Sequence, residues 1–409
     1  MTRTSLKFLH LADLHLGSQF FGGRLKLPYD KAEKRVREQH DALSRAVELA
    51  HDEDVEIILI AGDLWEEDGL TADTVAFVLD TLAKAAVPVV IAPGNHDYYA
   101  PGSHYSDEIT RSVIGRTWPD NVIIVRDYDF THFRPPRLDG VSVTGIAYHS
   151  NQPVKLRRFS KPVGSREADL SICVVHGSRD DHLPPGKLRT MPFSDSELLT
   201  HPFDYMALGH YHTSAQIMGT EDLVRAAYPG SAFALSADET GPHGCLIGTV
   251  RQGGVEQSSM EFHELDQRRI HRLKLDISGL QYIQAVEKKI AESLADAEVQ
   301  SQDMVLVELE GTYPQPNRMV FSEDFLMNAC FHLTIETSGV KPEWDIDDED
   351  KLEKRTTEGL FRMRLREMIE RAEEQDDRAE VIRLQNVLYY GLDALHARQI
   401  IPRQIHSEI

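Results

Sequence analysis

Short apolar runs divide the chain, and most end abruptly in polar residues. Leu6 to Ala12 alternates around apolar positions and predicts a strand. Apolar residues near Val36, Leu43, Val47 and Leu49-Ala50 predict a helix over 31–51. Val55 to Ala61 reads as a buried strand, 71–86 as a helix, and Val89 to Pro93 as another strand. Strand, helix, strand, helix, strand is the order of an α/β unit, in which sites form at the carboxyl edge of the strands. Further strands are expected over 121–126, 141–147, 169–175, 203–208 and 245–250.

The pattern changes near Asp266. Residues 269–277 alternate like a strand, 281–295 read as a helix and 304–310 as a second strand. This βαβ-like unit carries no clustered polar residues and marks the start of a smaller α/β domain. Residues 323–340 fit neither period, and the acidic run 344–353 reads as a solvated linker. The tail over 352–399 is helix-rich. One stripe holds Phe361, Leu365, Met368, Ile369 and Ala372, and another holds Leu384, Val387, Leu388, Leu392 and Leu395. The expected organisation is a first domain over 1–265, a smaller one over 266–345, and a helical tail over 346–409 suited to a dimer or partner contact.

Composition adds a constraint. The 409 residues carry 44 Lys and Arg against 66 Asp and Glu, a formal net charge of -22. Such a surface repels nucleic-acid phosphates on average, although a local basic groove or bound metal ions reverse that within a site. The run Lys155-Leu156-Arg157-Arg158-Phe159-Ser160-Lys161 stands out against it; it reads as a solvated loop or as a phosphate contact. Three cysteines, Cys173, Cys245 and Cys330, lack metal-ligand spacing and read as reduced core thiols. A cytoplasmic location is expected, since Asp13 and two histidines interrupt the first apolar run and no segment has the apolar length of a membrane span.

The candidate chemistry lies at the strand ends. Asp13 and His15 follow the first strand, Asp63 the second, and Gly94-Asn95-His96-Asp97 the third. His176 and the pair His210 and His212 follow two later strands. In D-x-H and H-x-H an extended backbone would send both side chains to one face. The donors are oxygens and imidazole nitrogens without thiolate, which suits two divalent ions such as manganese, iron or zinc. Asp63, central in the strand order, is the natural bridge. Two ions about 3.5–4 Å apart can clamp an in-line displacement at phosphorus, with a hydroxide between them as nucleophile. His96 is then the candidate to protonate the leaving oxygen. Asp97 either orients that imidazole or simply holds the turn.

This ordered set resembles the calcineurin-like metallophosphoesterase superfamily over roughly residues 6 to 250. The resemblance implies a four-layer α/β/β/α sandwich with mixed sheets. It implies Asp13, His15, Asp63 and His212 around one metal, and Asp63, Asn95, His176 and His210 around the other. His96 takes the place of the catalytic histidine. The stretches His10-Leu11-Ala12-Asp13-Leu14-His15-Leu16-Gly17, Ala61-Gly62-Asp63-Leu64-Trp65 and Tyr228-Pro229-Gly230-Ser231 look like the DNA repair exonuclease branch, the SbcD type. That branch implies a catalytic domain followed by a capping domain, DNA as substrate, an SMC-like coiled-coil ATPase as partner, and commonly a homodimer.

One position departs from the branch. Its nucleases carry a histidine three residues after the bridging aspartate, and here that residue is Glu66. A carboxylate there adds negative charge beside a phosphate site. The expected function is a two-metal DNA exonuclease in repair. The alternatives are a phosphodiesterase or phosphatase for a small phosphoester such as a nucleotide, and a scaffold that keeps the fold without the chemistry.

Overall fold

The computed structural model describes residues 2–20, 24–161, 163, 168–180, 182, 189–220, 222–314, 316, 319–342, 356–375 and 377–397. The chain divides into two compact units, Met1–Ile270 and His271–Ile409.

The first unit is built on thirteen hydrogen-bonded strands. They are β1 (Ser5–Leu11), β2 (Ile57–Ile60), β3 (Val89–Ile91), β4 (Val122–Ile124), β5 (Thr131–Phe133), β6 (Val141–Gly145), β7 (Leu170–His176), β8 (Tyr205–Gly209), β9 (Ala215–Met218), β10 (Leu223–Tyr228), β11 (Gly244–Arg251), β12 (Gly254–Glu256) and β13 (Glu261–Glu264). The main path runs β4-β3-β2-β1-β11-β12-β10-β8-β7-β6-β5, with β9 and β13 paired at its side. β1 to β4 are mutually parallel, as are β6, β7, β8 and β10. The short strand β12 bonds both β11 and β10, so the two layers of the expected sandwich form one continuous curled sheet.

The curl follows from the apolar pattern. Alternate residues of the β1–β3 half, Leu6, Phe8, Ile57, Leu59 and Val90, share a core with Val143, Ile172, Val174, Tyr205 and Ala207 of the other half. Phe8 stacks on Tyr205 with centroids 4.4 Å apart. Leu9, Leu11, Ile58, Ile60, Val89 and Ile91 point the other way by the period of two and are fully or almost fully buried. Strands buried on both faces read as continuous apolar runs, which is why β2 and β7 were legible. Helices α1 (Tyr29–Asp52) and α2 (Ala72–Ala83) add the outer layer with Ala42, Leu43, Ala46, Val75, Val78 and Leu82. Helices α3 (Asp107–Ile114) and α4 (Asp195–Leu199), and strands β5, β9, β10, β12 and β13, were not anticipated; all but α3 and β10 are five residues or fewer, and β5 has no fully buried residue.

Helix α1 also buries Arg35, Glu38 and Gln39. Arg35 grips Asp266 through both carboxylate oxygens (2.8 and 2.7 Å), and Arg268 grips Glu38. These buried charges pair with one another, and they fix α1 against the chain near Ala234, whose N–H also bonds Asp266.

The second unit contains β14 (Ile270–Asp276), α5 (Ile283–Asp296), β15 (Met304–Tyr313), α6 (Glu323–Asn328), β16 (His332–Pro342), α7 (Thr357–Glu374) and α8 (Arg378–Ala397). Its sheet has the order β14-β15-β16, with β15 and β16 parallel. The stretch that fitted neither period is thus a helix followed by a strand. α7 and α8 pack through Leu365, Ala372, Leu384, Leu388 and Leu392. Met368, Val387 and Leu395 of the two stripes stay exposed, because a two-helix seam is narrower than the stripes. The acidic run 344–353 lies outside the described residues. Among the described residues no helix is long and apolar enough to cross a membrane.

Candidate metal centre

The carboxyl ends of β1, β2, β3, β7 and β8 converge, and the chain leaves them in tight, unusual turns. Asp13, His15 and Asp63 take left-handed backbone conformations with φ of 50°, 48° and 51°, and His210 has φ 108°. Four non-glycine residues held this way mark a site where the surroundings outweigh backbone preference. The loops after β1 and β2 support each other through Asp13 N–H to Gly62 O (3.0 Å), His15 N–H to Asp63 O (2.9 Å) and Leu16 N–H to Leu64 O (3.0 Å). A Cβ at Gly94 would overlap the Asp63 carboxylate, and one at Gly209 would overlap Ala61 O. Both positions therefore require glycine for close approach.

The side chains meet, but not by strand alternation. β1 ends at Leu11 and β8 at Gly209, so Asp13, His15, His210 and His212 all lie beyond the extended backbone. Asp13 and His15 converge through the left-handed turn, with His15 Nε2 3.8 Å from Asp13 Oδ1. His210 and His212 meet different neighbours. His212 Nε2 stands 3.6 Å from Asp13 Oδ1, whereas the His210 ring lies edge-on to His176 with centroids 5.2 Å apart.

Asp63 lies between the two groups: its Oδ2 is 3.7 Å from His15 Nε2 and 3.2 Å from His176 Nε2. Three sets of donor atoms therefore cluster: Asp13, His15 and His212; Asp13, Asp63 and His176; and His15, Glu66 and His96. His210 falls in none of these sets.

Three imidazoles present Nε2 because Nδ1 is held elsewhere. His15 Nδ1 bonds Glu66 (2.5 Å), His176 Nδ1 bonds Ala61 O (2.9 Å) and His212 Nδ1 bonds Glu239 (2.8 Å). Such contacts fix tautomer and ring direction. The carboxylates follow the same plan. Asp13 Oδ2 accepts from His210 N–H and Asp63 Oδ1 from His96 N–H, each at 2.9 Å, which leaves the other oxygen facing inward. Asp13 Oδ1, His15 Nε2, His176 Nε2 and Asn95 Oδ1 are buried without a hydrogen-bond partner among the described residues.

Protons carry the charge balance in this arrangement. Burial disfavours a charged His15, but the neighbouring Asp13 carboxylate and the bond to Glu66 outweigh that and raise it to about 10. Burial likewise opposes charge on His176, which the Asp63 carboxylate raises to about 9. Burial would raise the Asp63 carboxyl, yet His176 and His15 hold it well below the usual carboxylate range.

Glu66 does not face a phosphate site as a free charge. Its Oε1 takes His15 and its Oε2 takes His96 Nδ1 at 2.8 Å. Burial pushes this carboxyl up, but the two imidazoles pull it down to about 2. Asp97 does not touch His96 among the described contacts. It accepts from Gly94 N–H (2.6 Å), Asp63 N–H (3.1 Å), Leu64 N–H (2.7 Å) and Tyr105 OH (2.7 Å), tying two ligand-bearing turns together.

Residues 6–214, more than half of the chain, match the family described as calcineurin-like phosphoesterase. The chain belongs to this family. The phosphoesterase is 28% identical over 328 residues to the uncharacterized metallophosphoesterase YhaO of Bacillus subtilis, covering 76% of this chain and 73% of the relative. It is 25% identical over 321 residues to the DNA double-strand break repair protein Mre11 of Methanopyrus kandleri, covering 70% of this chain and 62% of the relative. The Mre11 protein of Saccharolobus solfataricus is 25% identical over 218 residues, 51% of this chain and 50% of that one. The phosphoesterase is thus a metal-dependent hydrolase of mixed α/β fold.

Its donors fit divalent ions. Bonds of about 2.0–2.2 Å to one ion leave neighbouring donors about 3–3.5 Å apart, near the spacings seen here. Sequence reasoning missed three supports of the phosphoesterase site. Glu239 behind His212 sits in an ordinary acidic loop, the Ala61 carbonyl has no side-chain signature, and Gln39 reaches the Leu14 and His15 carbonyls (2.8 and 2.9 Å) from the buried face of α1.

Proposed function

We propose that the phosphoesterase is a two-metal DNA nuclease, an exonuclease acting in DNA repair. The observation that carries this reading is Asp63 Oδ2 between His15 Nε2 and His176 Nε2, as a carboxylate shared by two ions requires. Asp13, His15, Asp63 and His212 hold one ion, and Asp63, Asn95, His176 and His210 hold the other. Manganese is the proposed metal, with iron and zinc also matched by the oxygen and nitrogen donors. When bound, the ions supply Lewis acidity and an activated water.

His96 does the proton work. Its Nδ1 is held by Glu66, which leaves Nε2 to give a proton to the leaving oxygen. The Glu66 bond also raises the imidazole, so the acid form persists nearer neutral pH. The side chain is 42% exposed, open to an incoming phosphoester. Residues 1–265 act as the catalytic domain, 266–345 as a cap and 346–409 as a contact for a second copy or an SMC-like ATPase. Exposed Leu360, Met363, Ile382 and Leu395 support the last role. DNA as substrate is supported by the two relatives named for double-strand break repair.

Glu66 in the position of the branch histidine, on a chain of net charge -22, favours a second reading: hydrolysis of a small phosphoester such as a nucleotide. Hydrolysis of end-labelled linear duplex DNA with manganese, beside a generic phosphodiester, separates the two. The nuclease reading expects DNA cleavage that is lost in Asp63→Asn. Cleavage of the generic diester alone favours the second.

A further inference from the structure

A cavity of about 320 Å³ opens in the first unit beside the basic run, lined among others by Asp129, His132, Arg157, Arg158, Ser160 and Lys161. Its charges are unevenly committed. Arg157 is engaged by Asp180 (2.6 Å) and Glu197. The Arg158 side chain is only 10% exposed, and its Nη1 donates to Asp129 at 2.7 Å. Its Nε and Nη2 are buried and have no hydrogen-bond partner among the described residues. These two donors form one edge of the guanidinium fork, the edge that grips two oxygens of an oxyanion at once. A buried guanidinium with an empty fork is costly, so its position beside a cavity points to a ligand. Lys161 adds a charge with no ionic partner among the described residues. His132 spends Nδ1 on Thr144 (2.7 Å) and keeps Nε2 free of that bond.

The cavity is linked to the catalytic turn. Tyr99 follows His96 by three residues, and its ring lies 5.8 Å from that of His149. His149 lies 5.5 Å from the Tyr128 ring, and the Arg158 guanidinium carbon sits 4.1 Å above Tyr128. Tyr128 and His149 are exposed and Tyr99 is half-buried. Partly open rings leading to a cationic pocket are the parts from which single-stranded nucleic-acid tracks are made. The volume is at the small end of ligand sites and suits a phosphate with its sugar, not a duplex.

We propose that this cavity is a phosphate-binding subsite, with Arg158 Nε and Nη2 gripping the oxyanion and Lys161 adding charge. Building on the nuclease reading, the phosphate belongs to a strand whose reacting linkage lies at His96. A free phosphate group shares the same chemistry.

The test uses the full chain loaded with manganese. A fluorescent, cleavage-resistant single-stranded phosphorothioate oligonucleotide is titrated by anisotropy, and inorganic phosphate by calorimetry. Wild type, Arg158→Ala, Arg158→Lys, Lys161→Glu and Asp63→Asn are compared, with thermal unfolding as the folding control. Arg158→Ala and Lys161→Glu are expected to weaken oligonucleotide binding about tenfold or more and to lower its salt slope by about one each. Arg158→Lys keeps the charge without the fork and falls between.

Loss in Arg158→Ala of a phosphate-binding event that Asp63→Asn retains, with no oligonucleotide binding by any form, supports the subsite for free phosphate and counts against the nuclease reading. Binding of both probes unchanged in folded Arg158→Ala and Lys161→Glu overturns the subsite. It does so whether or not the wild type cleaves DNA. Binding of neither probe by the wild type overturns it as well.

Discussion

Glu66 joins His15 to His96, receiving the Nδ1 of each on a different carboxylate oxygen at 2.5 and 2.8 Å. One side chain thereby orients a proposed metal ligand and the proposed acid. Glutamine offers one acceptor oxygen, and its amide nitrogen would face the other imidazole. Glu66→Gln is expected to lower kcat and manganese affinity together, each by about 10- to 100-fold. Steady-state kinetics across a manganese titration checks this, and wild-type values for both would show that the bridge is incidental.

Glu239 acts on His212 alone, through the 2.8 Å bond to Nδ1. Glu239→Ala is expected to weaken metal binding by about 10- to 100-fold and to leave kcat at saturating manganese closer to wild type. A fall in saturated kcat as large as that of Glu66→Gln would contradict the separation.

How much of this was legible depended on what each feature requires of sequence. The buried strands β2 and β7 announce themselves, and the donor residues follow such runs in order. Glu66 was visible as a departure, but its partners were not, since pairing across loops has no periodic signature. The expected face-sharing of Asp13 with His15, and of His210 with His212, assumed extended backbone. The positive φ at Asp13, His15 and His210 defeats that assumption, and nothing local in these residues predicts it. Strands β9 and β10 escaped notice because their residues carry no long apolar run.

Asp97 tests the turn role assigned by the structure. Removing its carboxylate in Asp97→Ala leaves three backbone N–H groups and Tyr105 OH without their acceptor. The expected cost is about 3 kcal/mol or more, read from the urea midpoint. A loss below about 1 kcal/mol would mean that the turn finds other partners.

The raised imidazoles give a pH signature. In the metal-free protein, His15 and His176 hold protons up to about 10 and about 9, against an ordinary value of 6.5. Their stabilising contribution is therefore complete below about pH 6.5 and is lost as pH rises through 9 to 10. The thermal midpoint of the metal-free form is expected to fall over that range. Because ions and protons compete for the same Nε2 atoms, manganese affinity is expected to rise over the same range. Affinity flat from pH 6.5 to 9 would show that neither imidazole is a ligand.

The central claim is a two-ion centre bridged by Asp63. Equilibrium dialysis of the full chain against manganese, followed by elemental counting, addresses it most directly. The account predicts two ions per wild-type chain and fewer than one in Asp63→Asn. Two ions retained by a folded Asp63→Asn, or no more than one bound by the wild type, would contradict it.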